Sequence, residues 1–192
     1  PSSAASDVYK RQVINPAQIE VQAQALRESD PLAASQRYSE LANLARRVED
    51  QVGYLVESAL MAEAGGSTEQ AEDLLREALG IAESKPLLKN ETQLRLAIFL
   101  HDNQRWADSL EAVTSLIDEV DQPTEQRARA IVLFDKNRNA IGLTDTSTRD
   151  RVFSSLGDLP ETQADLHLAL AELYTNSGET VRAVGEIEAA DA

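Results

Sequence analysis

The chain has 192 residues, a formal net charge of −15, no cysteine and only 4% aromatic residues. The negative charge argues against binding to nucleic acid or to an anionic membrane, because both require clustered lysine and arginine. The absence of cysteine excludes disulfides and thiol chemistry. No apolar run is long enough to cross a bilayer as a helix. The bias toward Ala, Leu and Glu favours an all-α fold.

The first twelve residues have the features of a sequencing artefact. The chain does not begin with Met, and Ser2–Gln12 corresponds to one translated frame of a transposase-based sequencing-library adapter. We therefore interpret residues 1–12 as an untrimmed, disordered adapter segment on a bacterial metagenomic fragment. Residues 13–192 are the predicted repeat domain. With the natural N-terminus missing, no compartment is predicted, since a cytoplasmic and an exported protein fit equally well.

Two proline-containing pairs predict where the first helices begin. Asn15 can cap a helix with Pro16 in its first turn, and Asp30 can do the same for Pro31. Each helix carries apolar side chains at helical spacing. In the first they are Ile19, Val21, Ala25 and Leu26. In the second they are Ala34, Tyr38, Leu41, Leu44, Ala45 and Val48.

Glycine and proline mark the ends of the central helices. Gly65-Gly66 closes one helix, Ser67 or Thr68 caps the next, and Pro86 lies beyond its end. Residues 144–148 form a polar turn, and residues 151–156 fit either a short helix or an extended segment. The other central helices are predicted at Val52–Ala64, Glu91–Leu100, Trp106–Val120 and Thr124–Leu143, with a turn at His101–Arg105 and Gly142 near the last end.

The C-terminal stretch predicts two short helices joined by a turn at Gly178. Neither helix can bury its apolar stripe alone, so the pair requires neighbouring helices. The first stripe consists of Leu166, Leu170, Leu173 and Tyr174. The second consists of Ala183, Val184, Ile187 and Ala190.

This hairpin resembles a tetratricopeptide repeat (TPR) in Leu170-Ala171, Tyr174, Gly178, Ala183, Ile187 and Ala190. His167 stands where the family usually has a large aromatic residue. The small residue after each turn recurs at Ala34, Ala71, Ser109 and Ala183, at intervals of 37, 38 and twice 37 residues. The skipped position lies near Thr146, in a degenerate repeat. The resemblance implies a right-handed α-solenoid of about five antiparallel helical hairpins.

No motif indicates catalysis, a cofactor or a metal site, and we expect no enzymatic activity. The two histidines, His101 and His167, have no partner at metal-ligand spacing. Both are predicted to be solvated or packed. An acidic cluster at 118–121 lacks the alternating ligands and central glycine of a calcium-binding loop. Trp106 lies in an apolar stripe and is predicted to belong to the core.

The resemblance implies a protein–protein interaction scaffold whose concave groove binds a peptide or a helix of a protein partner. The acidic composition favours a partner with Lys or Arg, while the simpler alternative is a solvated groove that binds nothing tightly. Another alternative is the docking arm of a longer enzyme or transcriptional regulator. By position, the groove residues are Glu63, Leu94, Ile98, His101, Asp102, Leu168, Glu172, Thr175 and Asn176.

Overall fold

The computed structural model describes residues 15–117, 124–143, 160–176 and 178–191, and every regular element within these ranges is an α-helix. The predicted adapter segment, the polar turn at 144–148, the segment at 151–156 and the acidic cluster at 118–121 lie outside these ranges. The helices are α1 (Pro16–Leu26), α2 (Pro31–Leu44), α3 (Val48–Ala64), α4 (Thr68–Ala82), α5 (Pro86–Asp102), α6 (Trp106–Ile117), α7 (Thr124–Ala140), α8 (Pro160–Asn176) and α9 (Thr180–Ala190).

The helix ends follow the predicted capping residues. The Oδ1 atom of Asn15 accepts a hydrogen bond from the Ala17 amide at 3.1 Å, and Asp30 Oδ1 accepts one from Ala33 at 3.0 Å. These side chains satisfy amides that the first turns of α1 and α2 leave without a helical acceptor. Gly178 has a φ of +78°, the left-handed conformation that ends α8.

Several predicted helix boundaries are wrong. Helix α2 ends at Leu44, and Val48 instead begins α3, four residues before the predicted start. Helix α5 begins at Pro86 rather than Glu91, because proline fits the first turn of a helix as well as the linker before it. The helix also continues to Asp102, so the turn that follows is shorter than predicted.

The chain forms two compact units that divide between Ala78 and Leu79, within α4. In unit 1, α1 packs on α2 and α2 packs on α3, and each pair is joined by a short turn. Consecutive helices in such contact run antiparallel. Val21, predicted to be in the core, is exposed, and Ala23 takes its place. The buried core members are Ile19, Ala23, Ala34, Tyr38, Leu41 and Met61.

In unit 2, consecutive helices also pack against one another: α5 on α6, α6 on α7, α7 on α8 and α8 on α9. Helix α5 contacts α7 as well. Trp106 is only half-buried at the start of α6 and is not a core residue. The buried core includes Leu94, Ala97, Val113, Leu116, Ile117, Ala128, Ile131, Phe134, Leu166, Leu170, Tyr174 and Ala183.

The predicted repeat positions are buried in both units. Ala34, Ala71 and Ser109 are each 0% exposed and Ala183 is 4% exposed, although they lie in four different helices. Small side chains here allow the backbones of neighbouring helices to approach closely. The order of the helices confirms the predicted all-α fold, and the burial of these four residues fits a TPR-like arrangement of helical hairpins.

The apolar face predicted for α9 is buried only in part. Ala183 is buried, but Val184 and Ile187 are about half exposed and Val181 is 89% exposed. The side chain that joins Ala183 in the interior is Glu186, which is charged and was therefore not assigned to that face. The prediction of an apolar stripe through Val184 and Ile187 is wrong within the described residues.

Candidate partner-binding surface

Unit 2 contains a cleft of about 300 Å³ between α5 and α7, two helices that contact each other. Two of the predicted groove residues line it. Leu94 is buried at its wall, and Ile98, one turn further along α5, is 39% exposed. The remaining lining residues are Glu91, Arg95, Glu125, Gln126 and Arg129. The cleft is therefore an apolar patch between charged side chains.

The charged residues around the cleft form two ion pairs with the same geometry. Arg95 lies 3.2 Å from Glu91, and Arg129 lies 2.6 Å from Glu125, each four residues apart on its own helix. Ion pairs this exposed contribute little to stability, on the order of 0.5 kcal/mol. They can therefore exchange their partners for charged groups of a ligand at small cost.

His101 connects the predicted groove to the interior of unit 2. Its Nδ1 lies 2.7 Å from the Oδ1 atom of Asn137 on α7. Asn137 is fully buried and donates from Nδ2 to Ser109 Oγ at 2.7 Å, and Ser109 donates to the carbonyl of Ala97 at 2.6 Å. Since the Asn137 oxygen can only accept, His101 must donate from Nδ1. The network joins α5, α6 and α7 and fixes the orientation of His101.

The other predicted groove residues are accessible but are not part of this cleft. Asp102 is exposed at the end of α5, and Leu168, Glu172 and Asn176 are exposed along α8, with Leu168 at 52%. Thr175, also on α8, donates a hydrogen bond to the carbonyl of Ala171. Glu63 belongs to unit 1 and is half-buried near the end of α3.

The contribution of α7 to the cleft was missed by sequence reasoning. It lies in the repeat predicted to be degenerate, so no repeat position could be transferred to Glu125, Gln126 or Arg129. Only a nonspecific sequence feature points to them. The Glu-x-x-x-Arg spacing of Glu91 and Arg95 recurs at Glu125 and Arg129, but it also occurs at Glu72 and Arg76 on α4, outside the cleft.

The second histidine takes part in a buried pair rather than a solvated surface. His167 Nδ1 on α8 lies 2.8 Å from Glu186 Oε2 on α9, and the Glu186 side chain is 2% exposed. This contact explains why a carboxylate can lie in the interior of the last hairpin. The described part of the chain holds no group of three or more acidic or histidine side chains placed to bind a metal ion. None of its helices is long and apolar enough to cross a membrane.

No protein-family model matches the chain, and no curated protein matches it. Solved structures of TPR-like repeats are similar to it. A Podosopora anserina chain described as a kinesin light chain with nearly identical TPR-like repeats is 15% identical, with a TM-score of 0.48, and the match covers 93% of this chain and 97% of that one. BtubC (BKLC) from P. vanneervenii is 16% identical, with a TM-score of 0.47 and coverage of 91% and 78%. The TPR-like assignment rests on the chain's own helices and buried repeat positions.

Proposed function

We propose that the chain is a non-enzymatic interaction scaffold that binds a peptide or helix of a protein partner along the first helices of its hairpins. The main support is the α5–α7 cleft, where Ile98 lies exposed beside Leu94 and between two ion pairs. An apolar contact surrounded by polar groups is the usual arrangement of a protein interface. Leu168 offers a second exposed apolar side chain on the first helix of the last hairpin.

We propose that the preferred partner carries Lys or Arg beside an apolar anchor. The chain has 33 acidic and 18 basic residues, so its field attracts cations from a distance. At the cleft, Glu91 and Glu125 can transfer from their arginines to a basic residue of the partner. Arg95 and Arg129 would then be available to an acidic residue of the partner that lies next to its basic residue. The proposed scaffold needs no cofactor.

The experiment is a selection of peptides from a random display library with the immobilised full chain, followed by affinity measurements on the enriched peptides. Ile98→Asp should weaken the binding of the enriched peptides about tenfold or more, equivalent to about 1.4 kcal/mol, because a charge replaces the apolar contact. Val181→Asp is the matched control, because it introduces the same charge on exposed α9. Equal loss in both variants, or no enriched peptide, would contradict the proposal.

A further inference from the structure

Unit 1 contains a second cleft, of about 470 Å³, that none of the predicted groove residues identified. Two rows of side chains with the same spacing line it. Glu20, Gln24 and Arg27 follow one another at four and three residues along α1 and its C-cap, and Asp50, Tyr54 and Glu57 do so along α3. Tyr38 of α2, Glu49 and Gly53 complete the lining. This spacing places each row on one face of its helix.

One part of this cleft already holds a cation. The Nη1 atom of Arg27 lies 2.8 Å from Glu57 Oε2 and 3.2 Å from the Tyr38 hydroxyl oxygen. The guanidinium carbon is also 5.9 Å from the centre of the Tyr38 ring. An aromatic face and a carboxylate together therefore hold a guanidinium group here, a combination that recognises cations in general.

Another part of the cleft has the same chemical groups without a cation among the residues that the structure describes. Tyr54 lies near Glu20 and Asp50. Within the described ranges, neither carboxylate has a hydrogen-bond or ion-pair partner. Burial raises the pKa of Tyr54, and the negative charges of Glu20 and Asp50 raise it further. The carboxylates of Glu20 and Asp50 line the cleft beside Tyr54, and their negative charge favours a nearby cation.

There is also room for a ligand beside Tyr54. Gly53 precedes it on the exposed side of α3, and a Cβ atom at this position would have no other atom within 4 Å. Arg47, immediately before the first residue of α3, lies 3.7 Å from Glu49 and so neutralises part of a different carboxylate. Glu20 and Asp50 are left as the acceptors beside the open space.

We propose that the unit 1 cleft binds the side chain of an arginine or lysine from a protein partner, between Tyr54, Glu20 and Asp50. The identity of the partner as a protein rests on the proposed function, whereas the cation site itself does not. The Tyr54 ring would contact the cationic group or its alkyl stem, and the two carboxylates would accept its hydrogen bonds. Arg27 would keep its place against Tyr38 and Glu57.

The test uses acetyl-arginine amide as the cation probe and acetyl-norleucine amide as the uncharged probe, added to the full chain labelled for amide NMR. We expect saturable shifts at the Gly53 and Tyr54 amides with the arginine probe only. Asp50→Asn should weaken this binding about fivefold, the loss expected for one close charge pair in contact with water. Glu77→Gln removes one charge from an exposed position on α4, outside the cleft, and should leave the affinity unchanged.

The outcomes separate this proposal from the proposed function. Shifts spread over many acidic surfaces, no saturation, or equal effects of Asp50→Asn and Glu77→Gln would overturn the cation site. A saturable site at Gly53 and Tyr54 would support it even if the display selection enriched no peptide. Enriched peptides that depend on Ile98 would support the scaffold even if this probe did not bind in unit 1.

Discussion

Replacing Asn137 with alanine should test the buried network that links His101 to the interior of unit 2. The substitution removes two hydrogen bonds, one to His101 and one to Ser109, each contributing about 1 kcal/mol net. It also leaves a cavity at a position that is fully buried from solvent, which lowers the free energy of unfolding by about another 1 kcal/mol. We therefore expect Asn137→Ala to lower the free energy of unfolding by about 3 kcal/mol.

The assay is urea unfolding followed by the fluorescence of Trp106, the only tryptophan, which lies one turn before Ser109 in unit 2. Asn139→Ala, an exposed change on the same helix, is the matched control and should stay within about 0.5 kcal/mol of the parent. Ser109→Ala alone should cost about 1.5 kcal/mol. The double variant should cost about 1 kcal/mol less than the sum, because one bond is shared. A loss below 0.5 kcal/mol for Asn137→Ala, or strict additivity, would refute the network.

Five further substitutions, at four positions, test other parts of the structure by the same unfolding measurement or by titration. Gly53→Ala should stabilise the chain by about 1 kcal/mol and Gly66→Ala should destabilise it by about 1 kcal/mol, because only Gly66 has a positive φ, of +80°; equal effects would contradict this. Glu186→Ala should cost about 2 kcal/mol and Glu186→Gln less, because glutamine can still accept from His167; the reverse order would exclude the buried pair. The raised pKa of Tyr54 means that the folded chain keeps the phenol proton longer than the unfolded chain, so stability should fall as pH rises above 10.0. Tyr54→Phe should reduce that slope, and an unchanged slope would show that Tyr54 titrates normally.

Local sequence features predicted much of the helical framework. Asn15 and Asp30 cap helices because their side chains satisfy first-turn amides in any fold, so their role can be recognised without the tertiary structure. The four small repeat residues, Ala34, Ala71, Ser109 and Ala183, could also be predicted from the sequence. Close packing of helices requires a small side chain at each of these positions, so the requirement recurs along the chain. The start of α5 was predicted at Glu91 instead of Pro86, because proline suits both a linker and a first turn.

The candidate surfaces depended on contacts that sequence spacing does not specify. Asn137 is polar and gave no apolar signal, yet it is buried because His101 and Ser109, far away in sequence, satisfy it. Glu186 is buried for the same reason, through His167. The α7 side of the cleft lies in a repeat without recognisable motifs, so only the pairing of α5 with α7 brings Arg129 near Ile98.

The most direct test of the scaffold hypothesis is methyl NMR of the full chain as a display-selected peptide is added. Binding along the first helices of the hairpins should shift the methyl signals of Ile98 and Leu168 and leave those of Val181 and Ile187 in place. Shifts confined to Val181 and Ile187, with Ile98 and Leu168 unchanged, would contradict the account by placing the partner on α9.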